Sequence, residues 1–223
     1  LKHRGIQFID TAGSAYIDAV GVYVFVSGKK RRATAISRGK PAGRLLQPRG
    51  LQVIFICLAA ALKCPDTGRS NPVLRLKTLA EMSGVSLGTA SEIRGTLIEQ
   101  GYLLMTKQGC QWLRLPELFE RWAGAYAERL YPRLLVQRYR SAMPSLDTEG
   151  SLPKNALWGG ETAASRLTHY IAAQINTIYI NGEPGGFATR CGLIADADGT
   201  VELRKMFWSP KLPSPHSCVS PIL

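Results

Sequence analysis

The sequence is poor in the side chains that most catalytic and metal centres need. Its 223 residues hold three histidines, His3, His169 and His216, far apart and without ligand spacing. A histidine metal centre or a Ser-His-Asp or Cys-His arrangement therefore has little material. Five cysteines, Cys57, Cys64, Cys110, Cys191 and Cys218, contain no C-x-x-C pair and form an odd set, with Cys57 inside an apolar run. They read as reduced thiols of a cytoplasmic protein, neither a disulfide framework nor a zinc site. No apolar run reaches the eighteen or so residues of a membrane span, since "LQVIFICLAAALK" stops at Lys63. No cleavable signal is visible. The glycines of "GEPGG" and "WGGE" lack the lysine of a phosphate loop, and no G-x-S-x-G elbow occurs, so neither a cofactor nor an enzyme is expected. Acid is also scarce: 16 Asp+Glu face 28 Lys+Arg, a net charge of +12. That excess favours a polyanionic partner.

The positive charge is clustered. Lys29, Lys30, Arg31, Arg32, Arg38, Lys40, Arg44 and Arg49 follow one another without an acid between them. Residues 29–49 read as a basic linker, either merely solvated or holding phosphates. Before it, residues 1–28 alternate apolar and small side chains, with short strands expected at Ile6 to Ile9, Ala15 to Ile17 and Val22 to Val26. The chain opens at Leu1 in an apolar pattern and ends on "SPIL", so it reads as a piece of a longer protein whose strand-rich start is a domain remnant.

Residues 50–115 carry the strongest pattern. Leu51 to Leu62 is apolar nearly all round, as in a buried helix closed by the "CPDTG" turn. Leu76, Leu79, Ala80 and Met82 mark a short helix that Gly84 ends. Ser86 then caps a helix to Gln100, whose Ala90, Ile93 and Leu97 form one inward stripe and leave Gly88, Thr89, Ser91, Glu92 and Gly95 elsewhere on its surface. "YLLMT" and "CQWLRL" are strand-like runs joined by "KQG", a hairpin tipped by Lys107 and Gln108. Helix, helix, tight turn, helix, hairpin is the order of a winged helix-turn-helix. A helix entering the major groove needs small or hydrogen-bonding side chains in its first turns. Ser86, Gly88, Thr89 and Ser91 meet that need, with Lys107, Gln108 and the linker cations Lys29, Lys30, Arg31 and Arg32 as flanking phosphate contacts. Glu92 works against it unless it accepts from a cytosine amino group.

Residues 116–143 read as a helical connector that starts at Pro116 and places Leu118, Trp122 and Tyr126 on one stripe. Residues 144–223 read as a small α/β domain. It has a helix over "WGGETAASRLTHYIAA" with Ala163, Leu167, Tyr170 and Ile171 inward, and strands at "INTIYIN", "FATRCGLIA" and "TVELRKMFW". The expected class is α+β: a winged helix-turn-helix, a C-terminal small α/β domain and an N-terminal β remnant.

Taken together, "GIQFIDTAGSAYI", "GVSLGTASEIRGTLIEQGYLL", "LFERWAGAYAERLYPRLLVQRYR", "WGGETAASRLTHYI", "TIYING" and "DADGTVELRKMFW" resemble AbiEi-type transcriptional regulators, the antitoxins of bacterial type IV toxin–antitoxin systems. The resemblance implies a repressor that binds double-stranded DNA in its own promoter through the winged helix. It also implies a C-terminal domain that counters a nucleotidyltransferase-like toxin without forming a stable complex with it. Two departures from that family's pattern stand out: it has asparagine where Ser14 stands, and a leucine near Arg94. A homodimer stays open.

Two other classes compete. The winged helix can be a protein–protein interaction module, marked by an exposed apolar patch beside the reading helix. The start of the chain can be the tail of a nuclease-like DNA-processing domain with Asp10 in its site. "GSAYIDAV" resembles the Gly-Ser of nucleotidyltransferases, but Asp18 lacks the second carboxylate that would hold Mg²⁺. "DADG", Asp196 to Gly199, lacks the later ligands of a calcium loop and reads as a hairpin turn.

Overall fold

The computed structural model describes residues 7–9, 15–19, 22–26, 44–63, 75–106, 109–141 and 152–223. Contacts divide the chain into Leu1–Pro41 and Ala42–Leu223. In the first unit, β1 (Phe8–Ile9), β2 (Ala15–Ala19) and β3 (Val22–Val26) form an antiparallel sheet in chain order. Phe8 stands opposite Tyr16, and Ala19 opposite Val22. Asp10 and the cations Lys29, Lys30, Arg31 and Arg32 lie outside the described residues.

The second unit is a mixed α+β structure. It opens with α1 (Pro48–Lys63), where Pro48 supplies a helix start that needs no N–H. Leu51 and Val53 to Cys57 are fully buried. Gly50 is required by close approach, because a Cβ there would lie 2.1 Å from the Leu45 carbonyl oxygen. Next come α2 (Leu76–Ser83), α3 (Leu87–Glu99) and the hairpin of β4 (Leu103–Thr106) and β5 (Gly109–Trp112), with Thr106 opposite Gly109. Gly84 closes α2 in the left-handed region at φ 66° and donates its N–H to the Ala80 carbonyl. Glycine adopts that conformation without a Cβ penalty.

The helix expected over 116–143 is shorter. α4 (Leu115–Ala125) passes into a π-helical turn (Tyr126–Leu130) and α5 (Tyr131–Leu134), and Leu135–Ser141 is a strand, β6. Pro132 has no N–H for the preceding turn, which breaks the helical ladder. Long-range pairing then takes the segment: Gln137 stands opposite Leu203, and Tyr139 opposite both Val201 and Ala195.

The C-terminal sheet adds β7 (Ala156–Gly159), β8 (Asn176–Ile180), β9 (Leu193–Ala195) and β10 (Val201–Lys205), in the order β7-β8-β10-β6-β9. Only β8 and β10 run parallel. Its helices are α6 (Gly160–Thr168) and α7 (Pro184–Arg190). Three expectations are corrected here. Ala163 is buried on α6, but the helix ends with His169 at φ 56°, so Tyr170 and Ile171 leave the inward phase and stand 89% and 40% exposed. "FATR" is helical rather than extended: Glu183 accepts the Gly186 N–H at 2.8 Å as an N-cap, Pro184 opens the helix, and Phe187 is buried. Asp196 to Gly199 does turn, with the Asp198 N–H donating to Asp196 Oδ1 at 3.0 Å, yet β9 and β10 flank β6 instead of pairing as a hairpin. Gly199 passes so close to Tyr139 that a Cβ would lie 2.1 Å from its carbonyl oxygen.

One aromatic core joins the helices to this sheet. Phe55 of α1 packs on Trp122, Phe207 and Trp208, Trp122 stacks on Tyr126 at 4.8 Å, and Trp208 packs on Tyr179 at 5.1 Å. Trp122 Nε1 donates to the Leu51 carbonyl at 2.9 Å, and the hydroxyls of Tyr126 and Tyr179 meet at 2.6 Å. Buried tyrosine and tryptophan polar atoms thus have partners, as a low-dielectric interior demands.

Candidate nucleic-acid interface

The candidate interface centres on the start of α3. Ser86 is extended at the N-cap, and its Oγ accepts the Thr89 N–H at 3.2 Å while lying 2.9 Å from Thr89 Oγ1. This satisfies one of the orphan N–H groups of the helix end and leaves its neighbours open to an anion. Ala90, Ile93 and Leu97 are buried, which fixes the rotation of the helix. Ser86, Gly88 and Ser91 consequently stand exposed, with Thr89 half-buried.

Gly88, Ser91 and Gly95 follow at i, i+3 and i+7 on the outward face. Among the described residues, nothing packs tightly against those glycines. A Cβ on Gly95 would meet no atom within 4 Å, and one on Gly88 only the Ser86 Oγ at 4.0 Å. Each glycine costs about 1 kcal/mol of helix stability relative to alanine, and packing among the described residues gives no reason for the low outward face.

Two arginines meet α3 or the turn before it. Arg44 is exposed and pairs with Glu92 at 3.1 Å, so the carboxylate that opposed a phosphate partner is matched by a guanidinium. Arg49 Nη1 donates to the Gly84 carbonyl at 3.3 Å, at the turn between α2 and α3. Arg75 and Lys77 stand exposed at the start of α2. Sequence reasoning passed over Arg75 and Lys77; their signal was one cation at the N-cap and one in the first turn of the helix that precedes α3. Lys107 and Gln108 lie outside the described residues. Apolar exposure occurs nearby as well: Leu87 on the first turn of α3 is 55% exposed, and Leu104 and Met105 on β4 are 43% and 46% exposed.

At the other end of α3, Arg114 lies over the Tyr102 ring and donates to the Gln100 and Gly101 carbonyls and to Glu117. A cation there complements the helix C-terminus. Deeper in the unit, Glu202 is 4% exposed and Arg204 3% exposed. Glu202 accepts from Arg204 Nη2 and Arg138 Nη2 at 2.6 Å each and from the Tyr131 hydroxyl at 3.1 Å. Burial alone would push its carboxyl up, but the hydrogen bonds from Arg204 and Arg138 and the Arg204 charge hold it below its ordinary value. Burial pushes the Tyr179 hydroxyl up to about 12 and the Cys57 thiol up to about 12. Glu202, Arg204 and Tyr179 belong to the C-terminal sheet, whereas Cys57 lies in α1 near Cys110 of β5 and Arg94 of α3.

The charge is uneven along the chain. Residues 1–110 hold 16 Lys+Arg against 6 Asp+Glu, whereas residues 111–223 hold 12 against 10. Among the described residues, no helix is long and apolar enough to cross a membrane. Residues 111–223, about half of the chain, match the family model described as "Transcriptional regulator, AbiEi antitoxin, Type IV TA system". No curated protein and no solved structure matches the chain.

Proposed function

Because the chain belongs to the AbiEi antitoxin family of type IV toxin–antitoxin transcriptional regulators, we propose that it represses its own promoter through a winged helix-turn-helix made of α1, α2, α3 and the β4–β5 hairpin. In this reading the C-terminal half opposes a nucleotidyltransferase-like toxin. The observation that carries the DNA-reading part is the outward face of α3. It is small at Ser86, Gly88, Ser91 and Gly95, with Arg44 paired to Glu92 on the helix and Arg49 bonded to the turn that precedes it. Such a face lets the helix backbone sit close to base edges while the cations and free helix N–H groups hold phosphates. Lys107, Gln108, Lys29, Lys30, Arg31 and Arg32 are further proposed phosphate contacts on their sequence alone. If about six phosphates are neutralised, affinity falls on the order of a thousandfold between about 50 and 200 mM salt.

A second reading, a protein interface, is favoured by the exposure of Leu87, Leu104 and Met105. Leu87 fits both readings, since an apolar side chain can also meet a thymine methyl. The double variant Thr89→Ala with Ser91→Ala separates them. DNA reading predicts weaker binding to the chain's own upstream duplex, by about tenfold for one or two lost base contacts, with binding to a scrambled duplex unchanged. Equal loss on both duplexes, or no loss on either, argues against base readout by α3.

A further inference from the structure

The chain leaving β10 returns to the turn that aims α3. Met206 continues the strand, its N–H donating to the Ile180 carbonyl at 2.8 Å. Phe207 and Trp208 then insert into the aromatic core beside Phe55, at 5.2 and 5.3 Å between ring centres. The Ser209 N–H donates to the Met82 carbonyl at 2.9 Å. At the same turn, the Phe207 carbonyl oxygen lies 3.3 Å from where a Cβ on Gly84 would stand. Met82 is in the last turn of α2, and Gly84 and Val85 are the link to the Ser86 cap. The turn between α2 and α3 is therefore gripped from two sides. Arg49 of α1 bonds the Gly84 carbonyl, and residues 206–209 of the C-terminal half bond Met82 and pack against Gly84.

We infer that Phe207 and Ser209 are positioning residues for the DNA-reading helix, so that the C-terminal sheet is part of the machinery that fixes α3 for sequence-specific binding. The inference rests on the proposed DNA reading by α3. Base contacts demand a defined helix orientation, whereas phosphate contacts through long cationic side chains tolerate a loose one. Loosening the clamp is therefore expected to lower sequence preference more than general DNA affinity. The remaining contacts of Ser209 are local: its Oγ accepts the Lys211 N–H at 3.3 Å and its carbonyl accepts the Leu212 N–H at 3.0 Å. The hydroxyl and the clamp can thus be removed separately.

The test uses the full chain in three variants. Ser209→Pro deletes the N–H that reaches Met82, Ser209→Ala deletes only the hydroxyl, and Phe207→Leu keeps an apolar side chain while releasing the ring from Phe55. Amide hydrogen exchange over residues 83–91 is read together with fluorescence anisotropy on the own upstream duplex and a scrambled one. The expected result is faster exchange over 83–91 in Ser209→Pro and Phe207→Leu, and an affinity for the own duplex lowered about tenfold, the order of one lost base contact. Scrambled-duplex binding should stay unchanged, and Ser209→Ala should behave as the parent. Unchanged exchange in both clamp variants overturns the inference, as does Ser209→Ala matching Ser209→Pro. Should Ser209→Pro fail to fold, Phe207→Leu decides alone by the same two readouts. If the parent chain shows no duplex preference, the DNA-reading proposal fails by itself, and exchange over 83–91 still decides whether the clamp holds the turn.

Discussion

Glu202→Gln keeps the shape of the side chain and removes its charge from a buried network, so its effect follows from what is left behind. Arg204 is 3% exposed, packs 3.3 Å from the Tyr131 ring centre, and has Glu202 as its carboxylate partner through two donors at 2.6 and 3.0 Å. With the carboxylate gone, a guanidinium remains enclosed without a counter-charge, and Arg138 loses its 2.6 Å acceptor. Breaking a buried pair in this way costs about 3 to 5 kcal/mol. For a unit of this size each kcal/mol lowers the melting temperature by about 2 to 4 °C, so a fall of roughly 6 to 20 °C is expected in calorimetry. The pH dependence has a fixed sign. The folded-state carboxyl is held below its ordinary value, so its contribution is present above about pH 4.3 and disappears as pH falls through the folded-state value. The gap between parent and Glu202→Gln should be full at neutral pH and narrow in acid. The further change Arg204→Met, which removes the stranded charge, should recover a large part of the loss. A melting temperature within about 2 °C of the parent at pH 7 would refute the reasoning, as would a gap that widens in acid.

Ser86→Ala removes the cap that accepts the Thr89 N–H and should lower stability by about 1 kcal/mol in chemical denaturation; no change would mean that water serves the Thr89 N–H as well as the Ser86 hydroxyl does. Cys57 is fully buried with its thiol pushed up to about 12, whereas Cys191 is partly exposed. Mass spectrometry of the folded chain after brief alkylation at pH 8 should therefore find Cys191 modified well before Cys57, and comparable rates would contradict the packing of α1.

What could be read from the sequence was local. Ser86 before a stripe at Ala90, Ile93 and Leu97, and Gly84 after Met82, specify caps and a buried face within a few residues, and α2 and α3 follow them. The strand β6 could not be read in the same way. Leu134 to Arg140 fits a helical stripe as well as a strand, and its state is decided by Leu203 and Val201, more than sixty residues away. The same holds for β9 and β10, neighbours in sequence that β6 separates in the sheet. The start of α7 did carry a local signal, since Glu183 and Pro184 are a cap and a first helical residue, but Phe187 and Ala188 also suit a strand. At the candidate interface the polar first turn of α3 was legible because capping is local. The pairing of Arg44 with Glu92 and the grip of Ser209 on Met82 were not, because each depends on distant segments brought together by the fold.

The central claim, that α3 reads DNA, is tested most directly by fluorescence anisotropy of the purified chain against its own upstream duplex and a scrambled duplex across a salt series. The account predicts markedly tighter binding to the own duplex at every salt concentration, with both affinities falling steeply as salt rises. Equal binding to the two duplexes would leave only the cationic surface at work, and no binding to either would make the exposed face of α3 a protein interface; both results contradict the account.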